Sequence, residues 1–386
     1  MRKIIPVLIA VNTRLLLKNK LEGIGRFTHE TLKRITTSHR EHEFIFLFDR
    51  KFDSEFIYSD NITPVVISPP ARHPLLWYLW FEYSLPKFFS ARSPSDKTIK
   101  PDLFLSPDGY LSLKANVTSL PVIHDINFEH YPKALPQVYS WYYRHYFPKY
   151  AAKAKRIATV SEFSKSDISK MYSVPLEKID VVYNGVNDGF RPLDEMSIQS
   201  TRKKYSAGAP YFLFTGAIHE RKNIENLLRA FDRFRNNSPN IKLILAGNKK
   251  WWTASMEKTY SSMQYKREVI FTGRMSDEEL HQLTGSALAA VYVSKFEGFG
   301  IPVLEAMKCN VPVIASNVTS LPEVCGDAAL LAAPDSVSSI ADAMKIISAD
   351  EQKRKALIEK GKVRVENFSW DRTANLLWES MEKAVK

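Results

Sequence analysis

Tyr292-Val293-Ser294-Lys295-Phe296-Glu297-Gly298-Phe299-Gly300-Ile301-Pro302-Val303-Leu304-Glu305-Ala306-Met307 joins three local signals in sixteen residues. Ala289-Ala290-Val291-Tyr292-Val293 is apolar and rich in β-formers, which predicts a short buried strand. Gly298 and Gly300 bracket a loop where backbone approaches a ligand with no Cβ in the way. Pro302 suits the first position of a helix, where its missing N–H costs nothing. Strand, glycine loop and helix start together make an anion site, because free N–H groups and the helix dipole both favour phosphate. Glu297 stands just before the loop and Glu305 one turn into the helix. A carboxylate repels an anion, so Glu297 makes sense there as an acceptor of hydrogen bonds from sugar hydroxyls. The plainer alternative is a capped helix after a glycine turn, with Glu305 favoured by the helix N-terminus.

The same strand-to-loop-to-helix alternation runs through the second half. Tyr211-Phe212-Leu213-Phe214-Thr215-Gly216 reads as a strand breaking at glycine, followed by Arg221-Lys222-Asn223 and a helix through Phe234. Adjacent cations before a helix start are placed to neutralise a diphosphate; the alternative is a solvated surface pair. Ile241–Gly247 and Val269–Gly273 read as further strands, the latter leading into Arg274 and a helix from Ser276. Val311–Ala315 is the next strand, and 326–331 completes the pattern.

The first half alternates too. Expected strands lie at Ile4–Val11, Phe44–Phe48, Val65–Ile67, Leu103–Ser106, Leu120–Ile123, Ile157–Val160 and Ile179–Val182. A glycine-containing loop, Asn19–Arg26, precedes a helix from Phe27 to about Ile35. Gly23-x-Gly25 is not a dinucleotide fingerprint: Thr28 stands at the third glycine position, and the motif starts well after the strand. A nicotinamide cofactor is therefore not expected. Pro74 and Pro86 interrupt an aromatic helical run from Leu75 to Phe89 that reads mostly as core, and Ser90–Lys100 reads as a surface loop. His124-Asp125 follows a strand's carboxyl end, where open α/β sheets place ligands; the alternative is a satisfied buried histidine beside a capping aspartate. Tyrosines, Trp141 and cations interleave from Tyr131 to Arg156, fitting either a solvated basic face over an aromatic core or a helix lying on headgroups. Ser161 is an N-cap, and Asn184-Gly185 a turn closing the first block.

At 386 residues and 45% apolar composition, the chain carries two ordinary domains. Cys309 and Cys325 have no metal-ligand spacing and form no disulfide framework. No apolar run is long enough to span a bilayer. The N-terminal Met1-Arg2-Lys3 and apolar run mimic a signal peptide, but Asn12-Thr13-Arg14 replaces a cleavage site, so a first strand is expected. The net charge of +12 is spread over both halves and favours anionic membranes or phosphorylated ligands. No helix-turn-helix, zinc-knuckle or RNP-type signature supports nucleic acid as a partner.

Glu297 and Glu305 around Gly-Phe-Gly-Ile-Pro-Val-Leu resemble the paired-glutamate signature of family 4 glycosyltransferases, retaining enzymes of the GT-B fold. His124-Asp125, Val160-Ser161-Glu162-Phe163-Ser164-Lys165, Ile179–Val186 and Arg221-Lys222-Asn223 match other family text in the expected order. The resemblance implies an α/β chain with two doubly wound, Rossmann-like domains facing a central cleft. Residues 1–190 would form the acceptor-side domain and 191–366 the nucleotide-sugar domain. Residues 367–386 would be a helix crossing back to the first. It further implies a nucleotide-sugar donor, a saccharide acceptor hydroxyl, and no metal or cofactor.

His124, Asp125 and Glu297 would be the catalytic set, His124 positioning the donor sugar through its backbone carbonyl and Glu297 holding sugar hydroxyls. Donor contacts would come from Gly23, Gly25, Arg26, Gly216, Arg221, Lys222, Arg274, Ser294, Gly298, Phe299, Gly300, Ile301, Val303 and Leu304, with Glu305 gripping the ribose. Ala217 stands where many members carry an arginine. Arg221 would take over, as in the Arg-Lys-Asn subgroup typical of bacterial polysaccharide mannosyltransferases. That subgroup points to GDP-mannose, to a lipid-linked acceptor in O-antigen or capsule synthesis, and to a cytoplasmic enzyme peripheral to an anionic membrane face. The alternatives are a UDP-sugar donor, a sugar-nucleotide epimerase, or a non-catalytic nucleotide-binding scaffold. A retaining glycosidase would leave the phosphate-binding surroundings unused.

Overall fold

Segments such as Phe44–Phe48 and Leu103–Leu105 carry no polar side chain, so they are stable only where both faces are covered. Each becomes an interior strand of a parallel sheet. The computed structural model describes residues 6–90, 100–236 and 240–386, and the chain divides after Asn184 and again after Ser369. The expected boundaries at 190 and 366 thus move to these turns. The expected loop between Ser90 and Lys100 lies outside the described residues, as do Ile4 and Ile5 of the first expected strand.

In the N-terminal unit, β1 (Leu8–Asn12), β2 (Glu43–Phe48), β3 (Ile62–Val66), β4 (Leu103–Ser106) and β5 (Ser119–Pro121) form a parallel sheet in the order β3-β2-β1-β4-β5. A smaller parallel pair, β6 (Ile157–Thr159) and β7 (Ile179–Val181), is linked to it through a Val122–Ala158 bridge. The C-terminal helix Trp370–Val385 belongs to this unit, burying Trp370, Ala374, Leu377 and Met381 against Phe27, Leu32 and Ile35. Ser380 Oγ donates to Asp180 at 2.7 Å, and Arg34 Nε to Asp371 at 2.6 Å.

The second unit holds β8 (Tyr211–Thr215), β9 (Lys242–Ala246), β10 (Val269–Phe271), β11 (Ala289–Tyr292), β12 (Val313–Ser316) and β13 (Ala329–Ala332), again all parallel, in the order β10-β9-β8-β11-β12-β13. Counted within the unit this is 3-2-1-4-5-6, the doubly wound arrangement whose strand order reverses between its first and fourth strands. The N-terminal sheet reverses likewise between β1 and β4.

Local differences from the expected elements have physical causes. The first helix spans Gly23–Ser38, so Gly23, Gly25 and Arg26 lie in its first turn rather than in a loop, with the Arg26 N–H donating to the Glu22 carbonyl at 3.2 Å. Gly25 is there because a Cβ would stand 2.8 Å from the Leu15 carbonyl oxygen. The aromatic run becomes helix (Pro74–Leu79), one π turn (Trp80–Ser84) and helix (Leu85–Ser90). Pro86, lacking an N–H, cannot continue the regular bonding pattern. The linker and short helix expected over 188–210 are met by a helix at Glu195–Ser206, capped by Asp194, which accepts from the Ser197 N–H at 2.7 Å.

At the N-terminal unit's reversal point, Arg14 is buried with its side chain 4% exposed and donates to Asp108 Oδ2 at 2.6 Å. Its Nε donates to Asn12 Oδ1 at 3.2 Å, and the guanidinium lies 4.9 Å from the Phe81 and Tyr110 ring centres. Removing one partner of such a pair strands a buried charge. Arg14→Met should therefore cost about 3–5 kcal/mol in equilibrium unfolding. Arg14→Met/Asp108→Leu, which removes both charges, should lose less than either single change.

Candidate functional site

Ligands of doubly wound sheets sit outside the carboxyl ends of the strands where the order reverses. In the second unit those are β8 and β11, and the two loops leaving them carry the cation pair and the glycine turn. Gly216 ends β8 with φ +132°, and its N–H donates to the Ala246 carbonyl at 2.9 Å. Its own carbonyl lies where any Cβ on Gly247 would stand, 1.8 Å away, so only glycine lets the ends of β8 and β9 come this close.

Beyond it the chain makes a single 3-10 turn, Glu220–Lys222, and leaves through Asn223 in the left-handed region at φ +60°. His219 caps the turn, its Nδ1 accepting from the Arg221 N–H at 3.2 Å. Asn223 is 3% exposed and donates from Nδ2 to the carbonyls of Val293 and Pro334 at 2.9 and 2.7 Å. The Lys295 N–H donates to the Arg221 carbonyl at 2.9 Å. The cation turn is thereby fastened to the loop after β11.

There Arg221 and Lys222 meet Glu297. Lys222 Nζ lies 2.5 Å from Oε1 and Arg221 NH1 3.2 Å from Oε2, while NH1 also donates to the Phe296 carbonyl at 2.8 Å. Burial alone would raise the Glu297 pKa. Lys222 and Arg221 outweigh it and hold the carboxyl below its ordinary 4.5. Its backbone is fixed as well: the Glu297 N–H donates to Thr319 Oγ1 at 3.2 Å, and Ser320 Oγ donates to the carbonyls of Glu297 and Phe299, each at 2.9 Å. Gly300 starts the helix Ile301–Lys308 at φ +109°, with Leu321 packed where a Cβ would be, 2.6 Å away.

Pro302 is the second helical residue, not the first. The Val303 N–H already donates to the Gly300 carbonyl at 3.0 Å, and the side chains of Val303 and Leu304 are in the core. Ser294 is buried, its carbonyl accepting from Ser316 Oγ at 2.7 Å. Phe299 packs edge-on to Phe368 at 5.7 Å. Glu305 is half-buried. Burial first, then Glu305 and Glu297, keep the Tyr292 phenol protonated far above its usual range, and Tyr292 hydrogen-bonds Thr215 across the ends of β8 and β11. Arg274 is exposed after β10, two strands from β8.

His124, Asp125, Gly23, Gly25 and Arg26 belong to the N-terminal unit. His124 Nε2 donates to the Pro107 carbonyl at 2.9 Å, its ring edge-on to Phe27 at 4.9 Å, and burial lowers its pKa, so the imidazole is held neutral. Asp125 Oδ1 accepts from the Asn127 N–H at 2.9 Å and from its side-chain amide, which is the local turn role of an aspartate. His124 therefore lies on the Pro107-Asp108 segment that also carries the partner of Arg14.

Glu297 was read from sequence as holding sugar hydroxyls and the cations as holding phosphate. The structure joins all three in one ion cluster. Asn223, His219, Thr319 and Ser320, which position the cluster, were missed. Asn223 alone gave a sign, a polar residue between cations and a helix at a place that needs positive φ.

Two family models cover most of the chain: Glycosyltransferase Family 4 matches residues 21–190 and Glycosyl transferases group 1 matches 197–364. The chain is 29% identical over 362 residues to the O-antigen chain mannosyltransferase B of Escherichia coli, covering 92% of this chain and 94% of that protein. It is 31% identical over 294 residues to the O-antigen chain mannosyltransferase RfbU of Salmonella typhimurium, covering 75% and 76%. Among solved structures, Anabaena Alr3699/HepE in complex with UDP and glucose superposes with a TM-score of 0.74 at 15% identity, covering 97% of this chain and 99% of that one.

Two tests follow from the geometry. Gly247→Ala should push the β8 loop off β9 and weaken nucleotide binding by about tenfold or more, read by calorimetry, because no rotamer relieves a backbone clash. A carboxyl held low stabilises the fold fully above its unfolded pKa, and that contribution is lost as pH falls through the lower, folded value. Glu297→Gln should therefore flatten the acid limb of stability below pH ~4.5. An unchanged limb in acid titration would show that the ion cluster contributes nothing.

Proposed function

This chain belongs to glycosyltransferase family 4, enzymes of the GT-B fold, and from that premise we propose that it moves mannose from GDP-mannose to a hydroxyl of a growing, lipid-linked polysaccharide. The observation that carries the donor half is the Arg221–Lys222–Glu297 cluster at the sheet's reversal point. Mannose is supported by the names of the two bacterial relatives, both O-antigen chain mannosyltransferases.

Breaking the bond between sugar and diphosphate puts negative charge on the departing oxygens. Arg221 and Lys222 are the groups to receive it, fixed in place by Asn223 and the Lys295 N–H before any ligand arrives. Such preorganised charge is the largest single contribution in most enzymes. The Gly298–Ile301 turn and the start of its helix add their dipole. As the diphosphate enters, it competes with Glu297 for the two cations, which frees carboxylate lone pairs to accept from donor-sugar hydroxyls. Glu305 would accept from the ribose. The neutral His124, in the N-terminal unit, would hold the sugar by position rather than by taking a proton. No described helix is long and apolar enough to cross a membrane, and a peripheral place at the inner face of the cytoplasmic membrane suits a lipid-linked acceptor.

A donor panel read by thermal shift and sugar release tests this. GDP-mannose should stabilise the chain and turn over; a UDP-sugar doing so while GDP-mannose does neither overturns the donor assignment. Lys222→Ala and Arg221→Ala should each lower kcat by about 10²–10³. Wild-type turnover in both would remove the diphosphate seat from this site.

A further inference from the structure

One face of the N-terminal unit, apart from the residues placed in the candidate site, carries side chains unusual for a water-facing surface. It is made by the helical run Pro74–Ser90 and the helix Gln137–Lys153. Leu75 is 62% exposed, Tyr83 52%, Val138 45% and Trp141 59%. Leu75, Tyr78, Leu79 and Tyr83 recur at helical spacing, as do Val138, Trp141, His145 and Lys149, so each element turns one stripe outward. Ring contacts join the stripes into a single patch: Trp141 to Tyr146 at 6.3 Å, Tyr146 to Tyr78 at 6.2 Å, and Tyr78 to Tyr83 at 5.7 Å. Cations border it, with Lys114 Nζ 3.8 Å from the Tyr83 ring centre and Lys149 Nζ 5.6 Å from that of Tyr146.

The charge pattern decides what the patch fits. Between Pro74 and Ser90 the only carboxylate is Glu82, which is buried and committed to the N–H groups of Leu113 and Lys114 at 2.7 and 3.1 Å. Gln137–Lys153 contains no acidic residue. Arg144 pairs with Glu129, a side chain only 10% exposed. Among the described residues, the exposed charges on these two runs and on Lys114 beside them are thus Lys87, Lys114, Arg144 and Lys149, all positive. A face meant only for water mixes both signs. Exposed indole, phenol and leucine groups ringed by lysines match a bilayer interface, where aromatic rings sit at headgroup level and ammonium groups reach anionic phosphates.

We propose that this face docks the enzyme on an anionic lipid surface and, resting on the reading of a lipid-linked acceptor, brings it to the plane where that acceptor lies. The test is flotation of the full chain with phosphatidylglycerol–phosphatidylethanolamine vesicles and with pure phosphatidylcholine vesicles. The wild type should float with the first, release as salt is raised, and leave the second unbound. Leu75→Ser/Leu79→Ser/Trp141→Ser and, separately, Lys114→Glu/Lys149→Glu should each reduce binding to the anionic vesicles by about tenfold or more. Both sets change exposed side chains, so unfolding midpoints should not move, and either set carries the test if the other fails to fold.

Turnover on a soluble acceptor, measured in parallel, should equal wild type. Variants that bind as wild type, equal binding to phosphatidylcholine, or a wild type that ignores anionic vesicles would each overturn the docking claim. A wild type that binds the anionic vesicles but transfers no sugar to a soluble acceptor would count against the transferase reading and leave the docking claim standing.

Discussion

Glu297 is a carboxylate taken out of water, and a buried charge is tolerated only where opposite charge reaches it. Two cations do so from the neighbouring loop, and that requirement arranges everything nearby. Arg221 and Lys222 can meet one carboxylate only if their turn is short and pressed against the loop after β11. Asn223 in the left-handed region, its amide bonded to the Val293 and Pro334 carbonyls, and the Lys295-to-Arg221 backbone bond supply that contact. Glycines at 216 and 247 let the supporting strand ends touch. On the proposed function, this charge-neutralising core exchanges its internal anion for an incoming one.

Both sheets reverse strand order after their first strand, and both place an ion pair at the reversal. The two differ in burial. Arg14 and Asp108 are 4% and 6% exposed, walled in by aromatic rings, and their pair acts as a rivet. Arg221 and Lys222 are 20% and 19% exposed over a Glu297 that is 11% exposed, so their outer sides remain reachable. On the proposed function, the same topology serves stability in one unit and ligand chemistry in the other, and solvent access separates the roles.

Much of the fold was legible because parallel strands buried on both faces leave continuous apolar runs, and those runs stood within a few residues of the observed strands. The paired glutamates and the Arg-Lys step were legible as local text. Their meeting was not, since 75 residues separate Lys222 from Glu297 and only the strand order brings them together. Gly23 and Gly25 misled because glycine signals a loop by propensity, whereas here Gly25 permits close packing within a helix. Arg14 looked like a polar residue ending an apolar run. Nothing local reveals that an arginine will be buried when its partner, Asp108, lies in the turn after a distant strand. The aromatic run from Leu75 was right as core on one side and incomplete on the other, because burial is decided residue by residue around a helix.

The account rests on a nucleoside diphosphate displacing Glu297 from its two cations. A crystal structure of the complex with GDP tests that most directly. The β-phosphate should lie within hydrogen-bonding distance of Lys222 Nζ and Arg221, beside the Gly298–Ile301 turn, with the Glu297 carboxylate drawn off at least one of them. Nucleotide bound elsewhere, with both cations still on Glu297, would contradict it.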